Sequence, residues 1–291
     1  MLRTIKRISL VLASVSMIGC GGSGTNPAEN PADSTEVKTE KKDSSSIVFY
    51  NIPSPLETFT ILKMCGSGFD KSVLNSPDKL AKYVSTFQKC LNLGAYSTDL
   101  SFCYLYKQNQ DFNSYSKNIN ELTNSLGIDA SYGQDVTKRL QANSNNLDSL
   151  MAIVSEAGVN ADQYLKENQR NVETATIAAG GWIEAMYIIT SIADKTQNKD
   201  IIGLVGDQKI VLKNLTNMLE QFQSDADIQS ILGDMKAIGV TYETIQASQS
   251  TPVSSDKDII SVGNNTTFEV SKEQLRSILE KITALRNKIT L

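Results

Sequence analysis

Residues 175–193, Ala-Thr-Ile-Ala-Ala-Gly-Gly-Trp-Ile-Glu-Ala-Met-Tyr-Ile-Ile-Thr-Ser-Ile-Ala, are apolar around most of a helical circumference. A helix of that kind has to be covered on nearly every side, by lipid or by other helices. Its length approaches that of a bilayer span, but Glu184 sits at its centre, where an ionised carboxyl is costly in hydrocarbon. The segment therefore reads as the central helix of a folded body, and it needs several amphipathic neighbours to bury it.

The rest of the chain offers them. Pro55 can start a helix carrying Leu56, Phe59, Ile61, Leu62 and Met64, ended by Gly66. Ser76-Pro77 is a cap followed by proline. The helix it opens would present Leu80, Tyr83, Val84, Phe87 and Leu91 and turn at Gly94. Residues 96–126 form one long or two shorter helices, left at Gly127, and residues 134–157 form another, stopped at Gly158. Apolar stripes at helical spacing follow over 208–224 and 226–248. The last helix, 272–289, repeats Leu275, Ile278, Ile282, Leu285 and Ile289, with Ser271 and Gln274 placed as a capping box. Only Ile259 to Val270 differs. Short β-prone runs flank Gly263-Asn-Asn, which suits a small hairpin or an ordered loop. The expected fold class is all-α: a single helical bundle or irregular antiparallel helical array over 47–291, with that hairpin near 259–270 as the one open element.

Three segments are candidates for function. Thr176, Gly180, Glu184, Tyr187 and Ser191 fall on one side of the central helix. Either a neighbour crosses closely at Gly180 and Gly181, with Glu184 and Tyr187 in a hydrogen-bonded network or at the solvent edge, or the stripe lines a pocket beside Trp182. In a pocket, Glu184 would be a binding or acid/base group. The second segment is 92–104, where Asp99 lies early in the helix expected after Gly94 and Tyr96, Phe102, Tyr104 and Tyr106 could floor an aromatic groove or be shared among core and junctions. The third, Asn143 to Leu150, reads as a helix break or polar seam, or as an exposed recognition face. Asp148 there matches no calcium loop.

The chemistry available is narrow. The chain has no histidine, which removes triad and Cys-His nucleophile systems, the usual zinc sites and the ordinary neutral-pH proton shuttle. No catalytic set, metal site or cofactor is expected; a hydrolase would need Glu184 to face Asp99 or Asp148 across a cleft. Of the four cysteines, Cys65, Cys90 and Cys103 read as core side chains, and Cys90 with Cys103 is the nearest pair for a disulfide across the Gly94 turn.

The address lies at the N-terminus. Arg3, Lys6 and Arg7 precede an apolar run from Ile8 to Ile18, which ends at Gly19-Cys20. This is the layout of a secretion signal and resembles a bacterial lipoprotein signal over residues 1–19, with Met17 where the usual motif carries Leu. The resemblance implies cleavage ahead of Cys20 and lipid on its thiol. Residues 20–46 then read as a lipidated cysteine and flexible tether. Without residues 1–19 the chain has 25 basic and 32 acidic side chains, so its formal charge moves from -4 to -7. That balance disfavours nucleic acid and a basic membrane-binding face.

The runs Asn92-Leu-Gly-Ala-Tyr-Ser-Thr-Asp-Leu-Ser101, Asn145-Asn-Leu-Asp-Ser-Leu150 and Gly180-Gly-Trp-Ile-Glu-Ala-Met-Tyr187 resemble a family of envelope lipoproteins from Bacteroidota, over roughly residues 47–291. The resemblance brings no catalytic residues. It implies a helical body in a Gram-negative envelope, at the outer membrane. Gly21-Gly-Ser-Gly24 follows the cysteine and Glu29 is the first acidic residue, which favours the periplasmic side over the cell surface.

The expected role is that of a non-enzymatic binding or scaffold component, held to the membrane through Cys20 and docking an envelope protein or a cell-wall ligand. The alternatives are a small-molecule or glycan-binding module built on Glu184, Tyr187, Trp182, Tyr96, Tyr104 and Asp99, and a carboxylate-based hydrolase.

Overall fold

Six of the eight described α-helices begin at a residue whose side chain caps them. Ser54 and Glu57 form a reciprocal capping box ahead of α1 (Pro55–Met64), with Pro55 supplying the pre-set first turn. The structure, a computed structural model, describes residues 52–128, 136, 138–143, 145–249 and 266–291. Cys20 and the expected signal and tether lie outside the described residues.

Two short 3₁₀ turns, Lys71–Val73 and Pro77–Lys82, lead to α2 (Thr86–Leu105) and α3 (Asn109–Ser125). Then come α4 (Leu147–Glu167), α5 (Asn171–Thr196), α6 (Lys199–Glu220) and α7 (Ala226–Glu243). After the strands β1 (Gln246–Gln249) and β2 (Thr266–Glu269), α8 (Lys272–Thr290) closes the described chain behind the expected Ser271–Gln274 capping box. The fold is all-α with one small antiparallel strand pair.

The apolar segment is the core of α5, the one described helix long and apolar enough to cross a membrane; 72% of its most apolar window is buried by its neighbours. α2 packs along it most extensively, with α6, α8, α4 and α1 around the remainder. The α2–α5 crossing depends on missing side chains. A Cβ on Gly94 would sit 2.6 Å from Gly181 N and closer still to Ile177 O; one on Gly180 would sit 2.7 Å from the Leu91 carbonyl carbon. Thr98 ties the same crossing by donating from Oγ1 to Gly181 O at 3.1 Å.

Several sequence expectations change here. Gly94 is no turn: α2 runs straight through it, because the glycine's use is close approach to α5 rather than chain reversal. The helix expected from Pro77 to Leu91 is split. The 3₁₀ turn ends at Tyr83, and a second capping box, Ser85 with Gln88, starts α2. The chain instead reverses after Leu105, where Lys107 takes a left-handed conformation (φ 56°). Gly158 does not stop α4, which continues to Glu167; the break falls at the Asn-rich run, with Asn146 capping α4 through a bond to Ser149 N. α7 ends at Glu243, since 246–249 leave the helical pattern as β1. β2 does form inside the segment expected as a hairpin, but its partner is β1, in the register Gln246↔Glu269 to Gln249↔Thr266. Residues 259–265 of that segment, including the expected Gly263-Asn-Asn turn, lie outside the described residues.

Continuity of α2 also removes the Cys90–Cys103 disulfide. Thirteen helical steps separate the two by roughly 20 Å, against a Cα limit of about 7 Å for a bridge. Both are free and buried, and Cys65 is free and half-buried.

Candidate functional site

Glu184 stands at the middle of α5, on the face that meets both α2 and α8, and it is fully enclosed, at 0% exposure. Arg286 of α8 grips it with a bidentate fork: Nε donates to Oε2 at 3.0 Å and Nη2 to Oε1 at 2.8 Å. Both carboxylate oxygens are thereby taken by the one side chain best shaped to hold them. The guanidinium also lies 4.4 Å from the ring centre of half-buried Tyr187, and Nη2 reaches Val73 O at 3.5 Å. Of the two readings of the stripe, close crossing with an internal network is the arrangement found.

The third member is Asp99 of α2, also at 0% exposure. Its Oδ2 accepts from Asn75 N at 3.3 Å, while Oδ1 has no hydrogen-bond partner among the described residues. The Asp99 and Glu184 carboxyl groups lie within hydrogen-bonding reach of one another. Burial is the main force driving the Asp99 pKa well above the carboxylate range, and the Glu184 charge adds to it. Burial raises Glu184 too, and the hydrogen bonds and charge of Arg286 offset only part of that, so its net shift is also upward. Burial also weighs against the Arg286 charge, yet Glu184 outweighs it and the net shift is upward. The consistent assignment is an ionised Glu184–Arg286 pair beside a protonated Asp99, which leaves the enclosed trio neutral.

Around it, a polar seam joins the 3₁₀ segment to the end of α8. Asn75 Nδ2 donates to Tyr83 Oη at 3.1 Å and Asn92 Oδ1 at 3.3 Å, and Tyr115 Oη donates to Asn75 O at 2.7 Å. Asn92 Nδ2 and Tyr83 Oη then donate to the carbonyls of Ile289 (2.8 Å) and Thr290 (3.3 Å), which have no partner within the helix. Chemically, this cluster can store a proton and lock five segments together: the Asn75–Tyr83 stretch, α2, α3, α5 and α8. The facing carboxyls that a hydrolase reading calls for are present as Asp99 and Glu184, but neither is exposed to solvent.

The aromatic candidates separate. Tyr96 is fully buried between Tyr83 and Tyr115, with ring centres 6.0 and 5.7 Å away. Phe102 is in the core against Phe59 and Tyr106. Tyr104 is half-buried on another side and donates to Asp148 Oδ1 at 3.0 Å. They make no common floor, because a continuous α2 distributes them around its circumference.

Trp182 faces elsewhere. It lines an open groove of ≈ 270 Å³ between the start of α1 and helices α2, α5 and α6. Its Nε1 donates to Gln208 Oε1 of α6 at 3.3 Å. Apolar Ile52, Pro55, Ile177 and Val211 make up much of the wall, and among the described residues no charged one lines it.

Arg286 and Gln208 were not among the residues singled out from sequence. Arg286 carried a signal: it lies four residues after Ile282 and three before Ile289, a cation on the apolar stripe of the last helix, as Glu184 is an anion in the most apolar one. Gln208, at the start of an expected stripe, carried none. Among the described residues, no group of three histidine, cysteine, aspartate or glutamate side chains is placed to hold a metal ion. The chain matches no family model, no curated protein and no solved structure.

Proposed function

We propose that this chain is a lipid-anchored envelope protein whose helical body binds or positions another envelope component without catalysis. The observation that carries the reading is the N-terminal run: three basic residues, an apolar stretch and Gly19-Cys20. Support from the body is indirect. The one described helix of span length is spent as the core, so in this reading attachment falls to acyl chains on Cys20, more than one being needed for stable anchoring. The resemblance to Bacteroidota envelope lipoproteins puts the anchor in the outer membrane, on the periplasmic side. The partner is an outer-membrane protein, a periplasmic complex or a cell-wall ligand, not nucleic acid. The acid/base candidates Asp99 and Glu184 serve packing in this reading, since both are enclosed.

A second reading, a small-molecule or glycan-binding module, is favoured by the groove beside Trp182. The anchor is tested by fractionating cells that express the native chain or Cys20→Ala. The native chain is expected in the outer-membrane fraction, released only by detergent, with Cys20→Ala lost from it. Equal recovery of both in the soluble fraction overturns the reading.

A further inference from the structure

We propose that the Trp182 groove is a binding site for a neutral, mostly apolar small molecule bearing one hydrogen-bond acceptor, which the side-chain amide of Gln208 reads. The inference rests on the small-molecule reading for its site and is independent of the lipid on Cys20.

Size and polarity set the ligand class. At about 30 Å³ per water-sized group, ≈ 270 Å³ holds roughly nine such groups, a molecule of medium chain length. With no charged wall residue among the described residues, a carboxylate or ammonium finds no partner there to offset its desolvation.

The wall's hydrogen-bond donors are nearly all spent. Ser97 Oγ donates to Leu93 O at 2.7 Å, Ser101 Oγ to Ser97 O at 2.9 Å and Thr98 Oγ1 to Gly181 O at 3.1 Å. Trp182 Nε1 is engaged by Gln208 Oε1. That last bond also fixes which way round the Gln208 amide sits, since an indole N–H can only donate. Nε2 is therefore the other end, and it has no hydrogen-bond partner among the described residues. Gln208 is only 8% exposed. Gln208 lines the groove, and its Nε2, which is not sealed from solvent, keeps two donors that an acceptor on a ligand can take over from water.

Trp182 is the only tryptophan in the chain, so its indole N–H gives a single NMR resonance at the site. The full chain, ¹⁵N-labelled at tryptophan, is titrated with 2-octanone, octane and octanoate. The expected result is a saturable shift with 2-octanone, about tenfold weaker binding of octane, which lacks the acceptor, and no saturable shift with octanoate. Gln208→Glu keeps an acceptor for the indole and removes the amide donors; it should lower 2-octanone affinity at least tenfold while the indole resonance stays dispersed. Ala178→Phe, which fills the groove, should abolish binding. Equal affinity for octane and 2-octanone, unchanged binding in Gln208→Glu, or no saturable shift with either neutral probe overturns the proposal.

Discussion

Replacing Asp99 by asparagine tests whether the enclosed trio holds a proton. Asparagine has the same shape, stays neutral at every pH, can accept from Asn75 N through Oδ1 and can donate to Glu184 through Nδ2. In the native chain the Asp99 pKa is raised on folding, so the folded state binds the extra proton. The stability this gives is fully present below the unfolded value near pH 4 and is lost as pH rises toward the folded value. Over that window the loss is about 1.4 kcal/mol per pH unit. Asp99→Asn has no such proton to lose. Urea unfolding of both chains between pH 5 and 8 should show Asp99→Asn gaining on the native chain as pH rises, by up to about 4 kcal/mol across three units. Tyr83, Cys103 and Tyr115, the nearby groups raised by burial, stay neutral across this pH range in both chains and add no slope. Parallel stability profiles would refute the protonated assignment, as would a fixed penalty for Asp99→Asn at every pH.

Three further outcomes follow from the packing. Arg286→Met strips Glu184 of both hydrogen bonds inside a closed site and should cost about 3–5 kcal/mol in urea unfolding at pH 7; a loss below about 1 kcal/mol would mean that water reaches the carboxyl. Gly94→Ala forces a methyl against the α5 backbone and should destabilise by about 3 kcal/mol, whereas Gly158→Ala, with open space around it, should be neutral or slightly stabilising in thermal melts. Burial pushes the Cys90 thiol up to about 12 and raises Cys103 as well, so both should resist thiol reagents in the folded chain and react on unfolding, with no Cys90–Cys103 disulfide in non-reducing peptide maps.

The all-α class and the identity of the core helix were legible because they depend on local patterns: a proline start at Pro55, capping at Ser271, and a 19-residue apolar run that leaves few arrangements open. Boundaries at glycine divide: Gly66 and Gly127 leave their helices at positive φ as expected, whereas helices run through Gly94 and Gly158. Gly94 and Gly158 look alike in sequence; one is demanded by a neighbour's backbone and the other by nothing within 4 Å, a distinction that exists only between helices. The same limit governs the sites. Glu184 was visible as a carboxyl in an apolar helix, yet its meaning depends on Arg286, which lies 102 residues away in sequence. Gln208 shows how little one strand of pattern reveals. Its role comes from the indole across the helix interface and from a cavity wall, neither of which leaves a trace in its own neighbourhood.

The central claim, a helical body held to the envelope by lipid on Cys20, is tested most directly by intact mass of the chain purified from native membranes. The account predicts a polypeptide beginning at residue 20 and carrying acyl chains on that cysteine. A chain that retains residues 1–19, with an unmodified Cys20 thiol, would contradict it.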